Sequence, residues 1–280
     1  VNHQEGSFLG VRGAQIYAQA WLPDGKPKAA LLIVHGLAEH SGRYTNVIEH
    51  LVPLGYAAYA LDLIGHGRSE GERAYIDRFT DYTATVATYL GMVYAWQPGV
   101  PVFVLGHSVG ALIAACCFLD DASGMAGAVL SGVSAQMPDN VTPVTMLLAQ
   151  ALSALAPRAP VQAIEAQAIS RDPAVVQAYV ADPLVYTGRI CARTGVEMLK
   201  AQQRLMAEAS RVTLPVLMVH GSEDRLCPLA GARPFYEAIA STDKTLKVYD
   251  GLYHEVYNEP EREQVLSDVA AWLETHHDSA

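Results

Sequence analysis

The sequence predicts an α/β fold with a mostly parallel central sheet flanked by helices and a helical cap inserted between two halves of the core. Three observations predict it. Short, nearly continuous aliphatic runs ending in turns recur along the chain, which is how strands buried on both faces read. Segments of helix length with apolar residues at helical spacing lie between most of these runs, and such alternation implies a parallel sheet covered on both sides. From about Gln136 to Ile190 the alternation stops: no strand-like run is present, and prolines at 138, 143, 157, 160, 173 and 183 divide the stretch into short helical pieces. A structureless loop of that length is disfavoured in a compact domain. The predicted core is therefore 1–135 with 191–280, and the cap is 136–190.

The strands are expected at ALLIVHG (30–36), YAAYALD (56–62), VFVLGHS (102–108), GAVLSG (127–132), PVLMVHG (215–221) and TLKVYDG (245–251). Helices are expected over 43–55, 79–96, 108–120 and 260–274. Pro260 with acidic residues behind it suits the entry to the last of these. In the cap, 141–157 carries no acidic residue and no Lys or Arg, and Val144, Leu147, Leu148, Ala151, Leu152 and Leu155 share one helical stripe. That stripe is too short to span a bilayer. It is either packed down on the core or presented as a lid to a lipid surface.

Composition removes several function classes. The 280 residues suffice for one large domain. A net charge of −10, with no Lys/Arg cluster, argues against nucleic acid and against electrostatic docking on an anionic membrane. Four cysteines are too few for a disulfide scaffold and fit a reducing compartment. The opening VNHQEGSFLG lacks a charged segment followed by an apolar run, so no export signal is expected.

The chemistry centres on GHSVG (106–110). A Gly-x-Ser-x-Gly stretch is weak by itself, but here a predicted strand leads in and a predicted helix leads out. That is the setting of a nucleophile elbow, where glycines relieve crowding around a strained serine. Ser108 needs a base and an orienting carboxylate. Among ten histidines, His254 lies in a loop after the last strand, on the side where sheet ligands gather. His35 and His220 close buried strands, His276 and His277 sit in a polar tail, and His107 is expected to point away from its neighbour. Asp224, just beyond the strand 215–221, is the expected acid, with Glu223 able to substitute and Asp250 a weaker rival. The order Ser108, Asp224, His254 is that of a serine–acid–histidine hydrolase. The oxyanion donors are expected at the N–H of Val109, after the nucleophile, and of Leu37, in the loop after the first predicted buried strand.

HGLAEHSGRY (35–44), DLIGHGRSEGER (62–73), GHSVG, SRDP with YVADPLVY, GSEDRLC (221–227) and DKTLKVYDGLYHEVYNEP (243–260) together resemble the monoacylglycerol lipase family of α/β-hydrolases over nearly the whole chain. The resemblance implies the α/β-hydrolase fold and cleavage of monoacylglycerols to fatty acid and glycerol, with no cofactor, in the cytoplasm or peripherally on a membrane. It assigns the same triad and oxyanion residues, and adds Glu39, Arg43 and Tyr179 as the pocket for the glycerol hydroxyls. Glu39 and Arg43 could equally form an ordinary local ion pair. The chain departs from the family's usual GHSMGG at Val109 and Ala111. It also has Tyr257 where some relatives place a second histidine.

Two weaker motifs fail. GHGRSEG (65–71) has Glu70 at the third glycine position of a dinucleotide fingerprint, and HEVYN (254–258) ends in Asn258 rather than a second zinc-binding histidine. No metal is implied. Cys227 is expected near the site as a reactive thiol or a filler. Lysophospholipase, carboxylesterase and aminopeptidase activities share the triad, and a small-molecule receptor shares the fold.

Overall fold

The computed structural model describes residues 2–135 and 142–277. The expected start of the cap at Gln136, and Val141 in the apolar cap stretch, lie outside the described residues. In chain order the core runs β1 (Asn2–Leu9), β2 (Gln15–Leu22), β3 (Ala29–Val34), α1 (Thr45–Leu51), β4 (Tyr56–Leu61), α2 (Thr80–Trp96), β5 (Val102–His107), α3 (Val109–Asp120) and β6 (Met125–Ser131). The segment that follows carries α4 (Pro143–Leu155), β7 (Pro160–Ala163), α5 (Pro173–Ala181) and β8 (Arg189–Cys191). The chain then returns through α6 (Ala192–Glu208), β9 (Val216–Gly221), α7 (Leu229–Ala238), β10 (Lys244–Tyr249) and α8 (Arg262–His276).

Eight strands form one sheet in the order β1-β2-β4-β3-β5-β6-β9-β10. The pairs β1/β2 and β2/β4 are antiparallel and the rest are parallel. Alternation of side chains across the pleat explains the aliphatic runs. In β3, Ala30, Leu32 and Val34 enter one core with α2, α3 and α6, while Ala29, Leu31 and Ile33 enter a second core with α1 and α8. The strands β4, β5 and β9 divide in the same way. Each fully buried Val, Leu or Ile contributes about 1.5–3 kcal/mol from loss of apolar surface to water. All six expected strands and all four expected helices form, with ends shifted by a few residues: the segment 43–55 is helical only from Thr45 to Leu51 within flanking 3₁₀ turns.

The N-terminal hairpin was not expected from the sequence. Of β1 only Phe8 is buried, so the strand has no apolar run to read. The expectation of no strand between 136 and 190 is also corrected. There β7 and β8 pair antiparallel, Gln162 opposite Ile190 and Ala163 opposite Arg189. They are three or four residues long, and all of β7 is exposed, so neither gives a hydrophobic signal.

The inserted segment lies over the carboxyl edge of the sheet and is tied to it. Tyr186 N–H donates to the Ala38 carbonyl at 2.8 Å, and Glu255 N–H donates to the Ile169 carbonyl at 2.8 Å. Arg171 donates from its backbone N–H and its Nε to the buried carboxylate of Glu259, both at 2.7 Å. The stripe on α4 faces outwards: Val144 and Leu147 are 66% exposed, Leu148 64%, Leu152 41% and Leu155 88%. Of the two readings of that stripe, packing down on the core is therefore the one the structure overturns.

Close approach of α3 to β3 sets the geometry of the edge. A Cβ on Gly110 would lie 2.1 Å from the Val34 carbonyl oxygen and 2.5 Å from that of His35, whereas a Cβ on Gly6 would meet nothing within 4 Å. Gly110→Ala is expected to cost about 3 kcal/mol and lower Tm by about 6 °C. Gly6→Ala should leave Tm unchanged within about 1 °C. Thermal denaturation of the two variants beside the parent checks both.

Candidate active site

The turn between β5 and α3 holds Ser108 at φ 55° and ψ −119°, a conformation that costs a non-glycine residue about 1–3 kcal/mol. The strain is held from both sides. Ser108 N–H donates to the Ser131 carbonyl of β6 at 2.8 Å, and the Ser108 carbonyl accepts from Ala111 N–H at 3.1 Å to start α3. The flanking glycines permit contact that no side chain would. A Cβ on Gly106 would fall 2.6 Å from Ala111 Cα and from the Gly110 carbonyl. The side chain of Val109 is buried in the core that α2, α3 and α6 share, as is Ala111.

Asp224 follows β9 in a turn that its own carboxylate closes, with Oδ1 accepting from Leu226 N–H at 2.9 Å and Cys227 N–H at 2.8 Å. Its Oδ2 accepts from His254 Nδ1 at 2.7 Å, and both side chains are buried. Because a carboxylate only accepts, the proton sits on Nδ1 and leaves His254 Nε2 as the basic nitrogen. Gly132 makes room for this pair: a Cβ there would lie 3.0 Å from His254 Nδ1 and Cε1. Burial opposes charging of His254, yet the field of Asp224 and its hydrogen bond outweigh it, and the imidazole pKa is raised above the ordinary value.

The rivals are elsewhere. Glu223 and Asp250 are exposed. His35 is buried, and burial pushes its pKa down to about 4. It is structural, with Nδ1 donating to the Gly36 carbonyl at 2.7 Å and Nε2 accepting from Leu63 N–H at 2.9 Å. His220 Nε2 donates to the Cys227 carbonyl at 2.7 Å and lies 3.4 Å from Asp224 Oδ2. His107 lies at the site: its ring packs 4.5 Å from that of His254, and burial holds it well below the ordinary histidine range.

The hydroxyl of Ser108 has Cys227 Sγ, at 3.9 Å, as its side-chain contact among the described residues. Cys227 thus lies at the site, where burial pushes its thiol up to about 12. The Gly36–Leu37 loop is adjacent, since a Cβ on Gly36 would come 3.3 Å from Ser108 Cβ. Three bonds fix that loop. Gly36 N–H donates to Glu39 Oε1 at 2.7 Å, the Gly36 carbonyl is held by His35, and the Ala38 carbonyl is held by Tyr186. Among the described residues no acceptor takes the Leu37 N–H or the Val109 N–H.

Glu39, Arg43 and Tyr179 converge. Arg43 Nη1 donates to Glu39 Oε2 at 3.0 Å, and the guanidinium lies 4.7 Å from the Tyr179 ring centre. The same guanidinium is held by Glu255, a residue the sequence reading passed over. The available signal was its place beside His254, examined only as part of a zinc motif. Glu39, Arg43, Tyr44, His107, Glu255, Tyr257 and Asn258 line a cavity of about 10 Å³ beside the triad. A larger cavity of about 280 Å³, at Arg73, Arg158 and Arg189, contains none of the expected site residues. Among the described residues no group of three or more His, Cys, Asp or Glu is arranged to hold a metal ion.

The chain matches the family model Hydrolase_4, described as serine aminopeptidase, S33, over residues 25–261. It is 41% identical over 272 residues to a monoacylglycerol lipase of Mycolicibacterium smegmatis, with 97% of each chain covered. To the Homo sapiens monoglyceride lipase it is 34% identical over 264 residues, covering 93% of this chain and 87% of that one. The fold matches the crystal structure of the Paleococcus ferrophilus monoacylglycerol lipase with a TM-score of 0.83 at 30% identity, over 93% of this chain and 99% of that one. With an elbow serine and a buried aspartate–histidine pair at one edge of a mostly parallel sheet, and with these likenesses spanning nearly its full length, the chain belongs to the Hydrolase_4 family of serine hydrolases and, within it, to the monoacylglycerol lipase family.

Proposed function

We propose that the chain cleaves monoacylglycerols to free fatty acid and glycerol through an acyl-enzyme intermediate. The observation that carries this reading is the 2.7 Å bond between buried Asp224 and His254 beside a strained elbow serine. Ser108 Oγ leaves its contact with Cys227 and attacks the ester carbonyl while His254 Nε2 takes its proton. The imidazolium that forms is stabilised by Asp224. The N–H groups of Leu37 and Val109 receive the oxyanion, each such donor being worth about 10²–10³ in rate. His254 then returns the proton to the departing glycerol oxygen, and a water activated by the same nitrogen hydrolyses the acyl-enzyme. No cofactor enters these steps. Glu39, Arg43 and Tyr179 form the polar end that meets the glycerol hydroxyls.

An aminopeptidase would need a free carboxylate for the substrate amine. Glu39 already accepts from Gly36 N–H, from Tyr44 Oη at 2.9 Å and from Arg43, which favours an ester over a peptide substrate. Residues 136–190 act as a cap over the core, and the exposed α4 stripe is its lipid-facing surface. The exposed stripe supports peripheral contact with lipid, for a chain acting in the cytoplasm.

Ser108→Ala is expected to lower ester turnover by at least about 10⁴-fold and to abolish labelling by a fluorophosphonate, with Tm retained. Retained hydrolysis in that variant overturns the assignment. The raised pKa of His254 fixes the sign of the pH effect: the base must be neutral, so activity is lost as pH falls through the folded value. The acidic limb of kcat/KM is therefore expected to have its midpoint above about 6.5, read from a pH–rate profile on a soluble ester. The double variant Leu148→Asp with Leu155→Asp should bind neutral lipid vesicles about 10-fold more weakly, by sedimentation. Its rate on a short soluble ester should be unchanged.

A further inference from the structure

Glu255 does more than stand next to the base. Both of its oxygens take the Arg43 guanidinium, Oε1 from Nη1 at 2.6 Å and Oε2 from Nη2 at 2.8 Å, and its side chain is 6% exposed. Oε2 also accepts from Asn258 Nδ2 at 2.8 Å. Glu39 takes a third bond from the same guanidinium, and Tyr179 covers one of its faces. The guanidinium thus touches two carboxylates and a ring. Two buried carboxylates, each accepting from the guanidinium, surround one cation, so the cluster carries one excess negative charge. Three of the five N–H donors of Arg43 go to these carboxylates. Glu255 closes the Nη1–Nη2 fork as a bidentate partner.

We infer that Glu255 is a specificity-determining residue: it occupies the Nη1–Nη2 fork of Arg43 and, with Glu39, leaves the leaving-group pocket net negative, so that the enzyme takes neutral head groups and rejects anionic ones. The inference rests on the proposed ester-hydrolase reading of the triad. A neutral glycerol can share hydrogen bonds with carboxylates that are already paired. A phosphate-bearing head group meets like charge in a desolvated pocket, with no free cation to receive it. Discrimination then comes from a repulsive element rather than from a tighter fit to the preferred substrate. The backbone of Glu255 is held by Ile169 of the inserted segment, which fixes the carboxylate against Arg43.

The test compares esters of one short acyl chain below their micelle threshold: the 1-acylglycerol, the 1-acylglycerol 3-phosphate, the choline ester and the p-nitrophenyl ester. The parent enzyme is expected to prefer the glycerol ester over its phosphate by at least about 30-fold in kcat/KM, and to cleave the choline ester far better than the phosphate. Glu255→Gln keeps the shape and removes the charge, and should cut the glycerol-to-phosphate ratio by about 10-fold, while Glu255→Asp should preserve it. A merely structural Glu255 would instead depress all four rates together and leave the ratio where it was. That outcome overturns the inference, as does a parent enzyme that cleaves the glycerol and phosphate esters within about threefold of each other. The parent series decides the matter even where the variants fail to fold. The p-nitrophenyl ester reports the triad independently of the head group. Its cleavage without that of the glycerol ester would sink the monoacylglycerol reading, and the choline-to-phosphate comparison would still decide the role of Glu255.

Discussion

The close approach of α3 to β3 is the constraint on which the site depends. Gly110 lies where any Cβ would strike the Val34 carbonyl, and this contact drives the first turn of α3 into the sheet edge and turns Ser108 out of it. The strained backbone of Ser108 persists because it is held by more than it costs: a hydrogen bond to Ser131, the start of α3, and the apolar core on either side. The same approach brings the Gly36–Leu37 loop beside Ser108, so the elbow and that loop are positioned by one packing event. Asp224 and His254 come from turns after the neighbouring strands β9 and β10, which makes strand order the source of the triad's spacing.

Two buried charged groups share this edge, and they are built differently. Asp224 is satisfied by two backbone N–H groups as well as by His254, so its charge is stabilised without its partner being protonated. That leaves His254 free to cycle between neutral and charged states. Burial works against the charge of Arg43, by contrast, but the carboxylates of Glu255 and Glu39 outweigh it and push its pKa further up, so it stays a permanent cation. Isolated burial of any of these charges would be costly; each is offset by short bonds and by a remaining acceptor or donor already filled.

The buried strands and the triad were legible because their signals are local. Strands β3, β5 and β9 carry unbroken aliphatic runs, and GHSVG sits where a strand becomes a helix. What escaped had no local signal. The hairpin strand β1 buries only Phe8, and β7 and β8 are too short and too exposed to show alternation. The polar helix α6 was not expected either, since Val196, Ala201 and Leu205 are sparse among charged residues paired along its surface. Glu255 was missed for a different reason. Its role depends on Arg43, 212 positions away, and no spacing rule reaches that far.

The segment between β6 and α6 is bonded to the rest of the fold in two places, at the loops beside the site and at α6 through the Ser153, Pro157 and Ala159 carbonyls, and the difference bears on how a lipid reaches the serine. Ile169, Arg171 and Tyr186 are bonded to the loop after β10 and to the Ala38 carbonyl, so displacing them would disturb His254's own loop and the oxyanion loop together. On α4 the large aliphatic side chains point to solvent, and Met146 and Ser153 are its buried residues. The cavity beside the triad, at about 10 Å³, has room for about one water. A glycerol head group therefore needs local opening. An opening at α4 would break the bond from Arg193 Nη2 to the Ser153 carbonyl and uncover Met146, and would leave the bonds around His254 and at the Ala38 carbonyl made.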